Sequence, residues 1–355
     1  MRTAGVTSDM INLISTQAGA SSVTGPQKVF HNLTKGLDAI GYPYVVNRSL
    51  ESTRRLWIHD DTVALSHAAR SNACTVAGPN LYVMPADMPD GLDLSGMLYI
   101  HPSQWVIDLW REVDFRACDL ASWPVGIDLE RFRPATAQHG RPKVLVYHKL
   151  RPPEELQVIL RSLEDAQLDH RVMEYGSYRE EDFVTALKSA SVVVWHGRHE
   201  SQGIALEETL AADVPVLVCD VTQLSQETGS HFPPELDSVK VTAAPYFDAT
   251  CGRRTLELDQ VGRITREMLD HPAAFAPREF VRTHLSLEGQ ARAFVELWTH
   301  FGLTVDEGYR ERPATSKPWR PPQARRPVRP RDIGRRLKSA ARRALARAAR
   351  ETGRS

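Results

Sequence analysis

The chain of 355 residues carries 44 Lys/Arg against 44 Asp/Glu, a formal charge of zero, and 42% of it is apolar. That length is comfortable for two cores, and the balance is that of a soluble globular protein rather than a disordered or fibrous one. No run of about eighteen apolar residues occurs, so no membrane span is expected, and the early Arg2 is not followed by the long apolar stretch of a secretory leader. Four scattered cysteines, Cys74, Cys118, Cys219 and Cys251, form no CxxC or Cys/His cluster; they argue against a disulfide scaffold or a structural zinc and fit a reducing, cytoplasmic compartment.

The neutral total hides a split. From Arg310 to Ser355 there are 16 basic residues and three acids, about +13, which leaves 28 basic and 41 acidic residues, about −13, in the body.

In chain order, Ile11–Ile14 reads as a first strand, followed by a small-residue loop from Gly19 to Pro26. A helical pattern over Val29, Leu33, Leu37 and Ile40 stops at Gly41, and Tyr44–Val46 is a second strand. Leu56–Ile58, Cys74–Ala77 and Met97–Ile100 are further buried strands, and Trp105–Arg111 is the clearest helix between them. This alternation predicts a doubly wound parallel sheet. A Pro/Gly-rich stretch runs to about Arg141, and Lys143–Tyr147 opens a second domain whose next strands are His170–Tyr175 and Ser191–Trp195.

After that last strand comes His199-Glu200-Ser201-Gln202-Gly203-Ile204-Ala205-Leu206-Glu207-Glu208, and then a second apolar run, Val216–Cys219. The pattern is strand, crossover helix, strand. Glu200 then stands at a strand's carboxyl end, where open α/β sheets bind ligands. Eight residues on a helix come almost full circle, so Glu208 lies on nearly the same face, about two turns in. Gly203 lets an anion approach the helix start, whose free N–H groups and dipole favour it, and carboxylates accept from vicinal hydroxyls. A Glu pair on a helix is equally compatible with a solvated face.

The segment resembles the Glu-x7-Glu signature of retaining GT-B glycosyltransferases of the group 1 type, which include bacterial polysaccharide and glycolipid enzymes. Glu200, Gly203, Glu208 and Pro215-Val216 fall in register with it, while Ser201-Gln202 replaces the usual Pro-Phe and Glu207 an apolar residue. Trp123–Pro134 is similar to the segment that ends the N-terminal domain in that family, and Glu288–Phe301 to its closing helix; the likeness covers roughly Ile11 to Leu303.

The resemblance implies an α/β fold of two Rossmann-like domains facing each other across a cleft. They comprise an acceptor-side domain over 1–134, a nucleotide-sugar-binding domain over 135–290, a closing helix over 291–309 and a basic Pro/Arg-rich tail over 310–355. It implies a hexosyl- or related glycosyltransferase that moves a sugar from a nucleotide-sugar to a glycan or lipid-linked acceptor with retention. No metal is expected, since helix dipole and Lys/Arg stabilise the leaving diphosphate. Glu200 would face the sugar and Glu208 the ribose, while Ser201, Gln202 and Gly203 at the helix start, with Lys149 or Arg151, would face the diphosphate. The family's usual Arg is Lys149 here, and its Lys five residues later is Glu154. His199, beside Glu200, is a further candidate, as is Gly25 in the first loop, which in similar enzymes faces the donor.

Asp61 reads as a helix cap, with an acceptor role left open for His59 or Asp60; His101, at another strand end, is also placed to touch an acceptor hydroxyl. A nucleotide-sugar epimerase and a non-catalytic GT-B scaffold binding nucleotide or glycan are the alternatives.

In the tail, Pro318, Pro321, Pro322, Pro327 and Pro330 among arginines give way, over 332–350, to a thin stripe of Ile333, Leu337, Ala341, Leu345 and Ala348 on an arginine-rich helical pattern. Such a stripe suits an anionic membrane surface, here the inner face of the cytoplasmic membrane, better than nucleic acid.

Overall fold

A computed structural model describes residues 10–20, 24–135, 143–230 and 232–301. The tail from 310 on, with its expected amphipathic helix, lies outside the described residues. The chain forms two compact units, Met1–Trp123 with the segment from Ala291 on, and Pro124–Gln290. The divisions fall at Trp123–Pro124 and at Gln290–Ala291.

The first unit's strands are β1 (Ile11–Ile14), β2 (Tyr44–Val46), β3 (Arg55–Ile58), β4 (Cys74–Ala77), β5 (Leu98–His101) and β6 (Asp119–Ser122). They form one sheet in the order β2-β1-β3-β4-β5-β6, every pair parallel. Helices α1 (Gly25–Ala39), α2 (Thr62–Ala68) and α3 (Gln104–Glu112) make the crossovers. Strands β1, β4 and β5 are buried at every residue, which is why they read as nearly continuous apolar runs rather than alternating ones.

The second unit has β7 (Val144–Lys149), β8 (His170–Glu174), β9 (Val192–Gly197), β10 (Val216–Cys219) and β11 (Gly252–Thr255), ordered β11-β10-β9-β7-β8, again all parallel. Its helices are α4 (Pro153–Asp165), α5 (Glu180–Ser189), α6 (Ile204–Ala211), α7 (Val261–Asp270) and α8 (Pro277–His284). A core of Val144, Val146, Ile159, Leu163, Val192, Val194, Leu217, Val261 and Met268 joins sheet and helices.

Each sheet reverses direction once beside its first strand, between β1 and β3 and between β7 and β9. Chain leaving two such neighbours goes to opposite faces, so the carboxyl ends there bound a crevice.

Helix α9 (Leu287–His300) follows α8. Its Phe294 packs edge-on against Trp57 at 5.3 Å and, tilted, against Trp123 at 4.9 Å, all within the first unit. Gly126 shows why the segment after Trp123 needs a glycine. A Cβ there would lie 2.6 Å from the Leu287 Cα, because the neighbouring Ile127 N–H donates to the Leu285 carbonyl at 2.8 Å.

Candidate functional site

The switch point of the second sheet places Lys149, the last residue of β7, beside the loop that leaves β9. The Arg198 amide donates to the Lys149 carbonyl at 3.0 Å, so the two strands stay in register to their ends. The Lys149 ammonium reaches across to Glu200 Oε1 at 2.5 Å and lies 4.6 Å from the Tyr175 ring centre. Both members of the ion pair are nearly enclosed, with side chains 13% and 9% exposed. The Glu200 backbone is fixed too, its amide donating to the Thr242 carbonyl at 3.0 Å. Thr242 and Ala243 are tied in turn to Asp220, which also pairs with Arg254.

Helix α6 begins at Gly203, whose φ of +90° is left-handed and strained for any other residue. Its first N–H groups have no intrahelical acceptor, the general condition of a helix start. The sequence from Ile204 to Ala211 is apolar apart from Glu207, Glu208 and Thr209, so the helix is drawn inside. Glu207 and Glu208 are 1% and 2% exposed, which excludes a solvated face. Gln202 is buried and its amide makes a two-way pair with Val125, accepting from that N–H at 3.1 Å and donating to that carbonyl at 2.8 Å. It also donates to Glu207 Oε2 at 2.8 Å. Burial drives the Glu207 carboxyl well above the usual carboxylate range, the Gln202 bond opposing and the charges of Glu208 and Glu200 adding to the rise. Ser201 is exposed.

Tyr178 was not foreseen. Its hydroxyl meets that of Tyr147 at 2.8 Å, and burial raises it to about 12, with Glu208 and Glu200 close enough to contribute. It therefore stands near enough to feel the charges of both Glu200 and Glu208. The available signal was its position just beyond β8, at the same sheet edge as Lys149.

Arg151 is held elsewhere. Its side chain is 3% exposed and pairs with Glu155 at 2.6 Å, while its other nitrogen contacts the Gly197 and Cys219 carbonyls at 3.3 and 3.4 Å. The same Glu155 oxygen lies 3.0 Å from His196 Nε2. Burial, then the charges of Arg151 and His148, hold His196 down at about 2, so it is neutral. With Nε2–H turned to Glu155, its Nδ1 must accept, and His148 Nδ1–H donates across 3.0 Å. Arg151, Glu155, His196 and His148 thus form a buried polar brace beneath the strand ends.

His199 is 5% exposed, packs edge-on against Phe232 at 5.7 Å and lies 3.5 Å from Glu227 through Nε2. Burial, with Arg198 and Lys149 nearby, lowers it to about 3. Arg198 pairs with the other Glu227 oxygen at 2.7 Å. Lys149, His199, Glu200, Gln202, Gly203 and Glu208 therefore share the second unit's strand-end region. Gly25 belongs to the first unit, as the first residue of α1 behind the cap Thr24.

At the first sheet's own switch point, Asp61 caps α2 by accepting from the Val63 and Ala64 amides at 3.0 and 2.9 Å. Asp60 binds the Thr16 amide at 2.9 Å and Gln17 at 2.8 Å. His59, fully buried, meets Ser15 at 2.9 Å and Asn80 at 2.6 Å, so both ring nitrogens are engaged. His101 is different: it is 2% exposed, burial lowers it to about 3, and its Nε2 finds no hydrogen-bond partner among the described residues. Among those residues, no group of three or more His, Cys, Asp or Glu side chains is arranged to hold a metal, and no helix is long and apolar enough to cross a membrane.

No protein-family model matches the sequence, and no curated protein matches it. Solved structures do match. A sucrose-phosphate synthase from Thermosynechococcus elongatus superposes with a TM-score of 0.53 at 14% identity, over 82% of this chain and 98% of that one. HepE from Anabaena, in complex with UDP, gives 0.51 at 11% identity over 82% and 99%. The lipopolysaccharide outer core galactosyltransferase WaaB gives 0.51 at 10% identity, also over 82% and 99%. The two parallel α/β units are those of the GT-B fold.

Proposed function

We propose that this chain is a retaining, metal-independent glycosyltransferase that moves a hexosyl or related sugar from a nucleotide-sugar to a glycan or lipid-linked glycan acceptor. The observation that carries the reading is the Lys149–Glu200 pair at the β7/β9 switch point, beside a buried helix opened by Gly203 and carrying Glu208. A cation, a helix start and two enclosed carboxylates are what a diphosphate joined to a sugar and a ribose requires. The fold is compatible, and HepE, which shares it, was solved with UDP.

In this reading Glu208 accepts from the ribose and Glu200 from the sugar. Lys149 and the Ser201–Gly203 turn face the diphosphate. Arg151, braced by Glu155 and two carbonyls, holds the strand ends in place rather than gripping phosphate through its engaged nitrogens. In the front-face scheme of such retaining enzymes, the departing phosphate takes the acceptor proton, so no side-chain base is assigned.

The test is incubation with a panel of nucleotide-sugars, following released nucleotide and the anomeric configuration of the product. Transfer with retention is expected. Glu208→Ala should weaken donor binding by about 1–3 kcal/mol, the cost of leaving hydrogen-bonding groups unpaired. Unchanged calorimetric affinity in a folded mutant would remove Glu208 from the ribose site. Binding without turnover on any donor would favour the scaffold reading.

A further inference from the structure

We infer that Arg198 is the second diphosphate-binding cation of the donor site, and that Glu227 is a resident carboxylate which occupies Arg198 until the donor displaces it. The inference rests on the donor-site reading above and adds to it a residue and a built-in competitor.

A diphosphate concentrates its charge on neighbouring oxygens, and one ammonium serves it poorly. Lys149 is one cation. The position where a second would be expected holds Glu154, and the Arg151 side chain is 3% exposed and bonded to Glu155 and two strand carbonyls. A second cation must therefore come from another element.

Arg198 meets the requirement by position. It follows β9 directly, and its amide is bonded to the Lys149 carbonyl at 3.0 Å, so the two backbones lie side by side at the switch point. After burial, the charges of Arg198 and Lys149 both lower the pKa of the neighbouring His199 ring. Unlike Arg151, Arg198 is one-third exposed, and its Nε is buried with no hydrogen-bond partner among the described residues. A guanidinium is a planar fork suited to two phosphate oxygens, and this one has used NH1 alone.

Its present partner is what a phosphate would replace. Glu227 gives Oε1 to Arg198 at 2.7 Å and turns Oε2 toward His199 at 3.5 Å. Glu227 comes from the loop after β10, which is anchored where the Thr228 amide donates to the Leu150 carbonyl at 2.8 Å. The carboxylate can swing away while its backbone stays fixed. An incoming anion must then compete with Glu227, and removing that charge while keeping its shape should tighten donor binding.

The experiment is calorimetric titration of the full chain with uridine, guanosine, adenosine, cytidine and thymidine diphosphates. Whichever binds is repeated on Arg198→Gln, Glu227→Gln and the double variant. Glu227→Gln should bind roughly three- to tenfold tighter, and Arg198→Gln about tenfold or more weaker, the usual scale for a charged hydrogen bond. The double variant should bind no tighter than Arg198→Gln, because the competitor acts only through the cation. A gain of affinity cannot arise from misfolding, so Glu227→Gln guards against an unfolded Arg198 variant. If either single variant matches wild type, the inference is overturned while the donor site stands. If wild type binds none of the five, the donor-site reading falls and this inference with it.

Discussion

Glu207 and Glu208 are adjacent in sequence on a helix with no wet face, and both are buried. Glu208 lies within electrostatic reach of the Tyr178 hydroxyl, whereas Glu207 meets the Gln202 amide and leaves its Oε1 without a partner among the described residues. Because burial raises the Glu207 carboxyl in the folded state, folding favours its proton. Its contribution to stability is full below the unfolded value near 4.5 and is lost as pH rises through the raised folded value. Glu207→Gln has no proton to lose and still accepts from Gln202. It should therefore melt a few degrees above wild type at pH 8, with the gap closing near pH 4.5. Parallel melting curves for the two proteins across that range would show that Glu207 is not the titrating group. Much of this site was readable beforehand, because Glu200, Gly203 and Glu208 sit at offsets that a strand end and a helical period dictate. Arg151 is held by Glu155 and, in addition, by carbonyls of β9 and β10, which no local pattern reveals. Tyr178 carries no such signal, because a single polar residue in a loop has no periodicity.

Elements announced themselves in proportion to their burial. β1, β2 and β4 have the bounds that their apolar runs predicted, and β3, β5, β7, β8 and β9 are shifted by a residue or two. β6 and β11 were not anticipated. Both are edge strands, and Asp119, Arg253 and Arg254 turn outward from them, so no apolar run exists to be seen. Helices α4 and α7 are buried chiefly where they touch each other and the sheet, through Ile159 and Leu163 on one and Val261, Gly262, Thr265 and Met268 on the other. Their contact is set by a single small residue. A Cβ on Gly262 would lie 1.9 Å from the Ser162 carbonyl oxygen, and the Gly262 amide already donates to Ser162 Oγ at 2.9 Å. Gly262→Ala should therefore force α7 off α4 and destabilise the second unit by about 2–3 kcal/mol, the scale of overpacking. Urea unfolding followed by circular dichroism measures this, and a midpoint equal to wild type would mean that the two helices can separate without cost.

For the chain as a whole, fold and charge make separate demands. Two Rossmann-like units account for the body, and their doubled switch point was implicit in the alternation of strands and helices, although the partition at Trp123–Pro124 was not. That partition depends on Phe294 packing among Trp57 and Trp123, a contact between residues far apart in sequence. The charge asymmetry needs no structure to be stated: about −13 before Arg310 and about +13 after it. A body of that sign is repelled by an anionic bilayer, so any attraction must come from the tail. Each Arg near such a surface contributes about 1 kcal/mol, and the stripe of Ile333, Leu337 and alanines adds little apolar area, so charge should dominate. Deleting 332–355 should release the protein from phosphatidylserine vesicles at low salt while leaving donor binding intact. Raising the salt on the full chain should have the same effect, since screening shortens the reach of each arginine. Co-sedimentation measures both. Full-length protein that ignores such vesicles at low salt, yet shifts RNA or DNA, would assign the tail to nucleic acid and leave the proposed donor site untouched, because Lys149, Glu200, Gly203 and Glu208 all belong to the second unit.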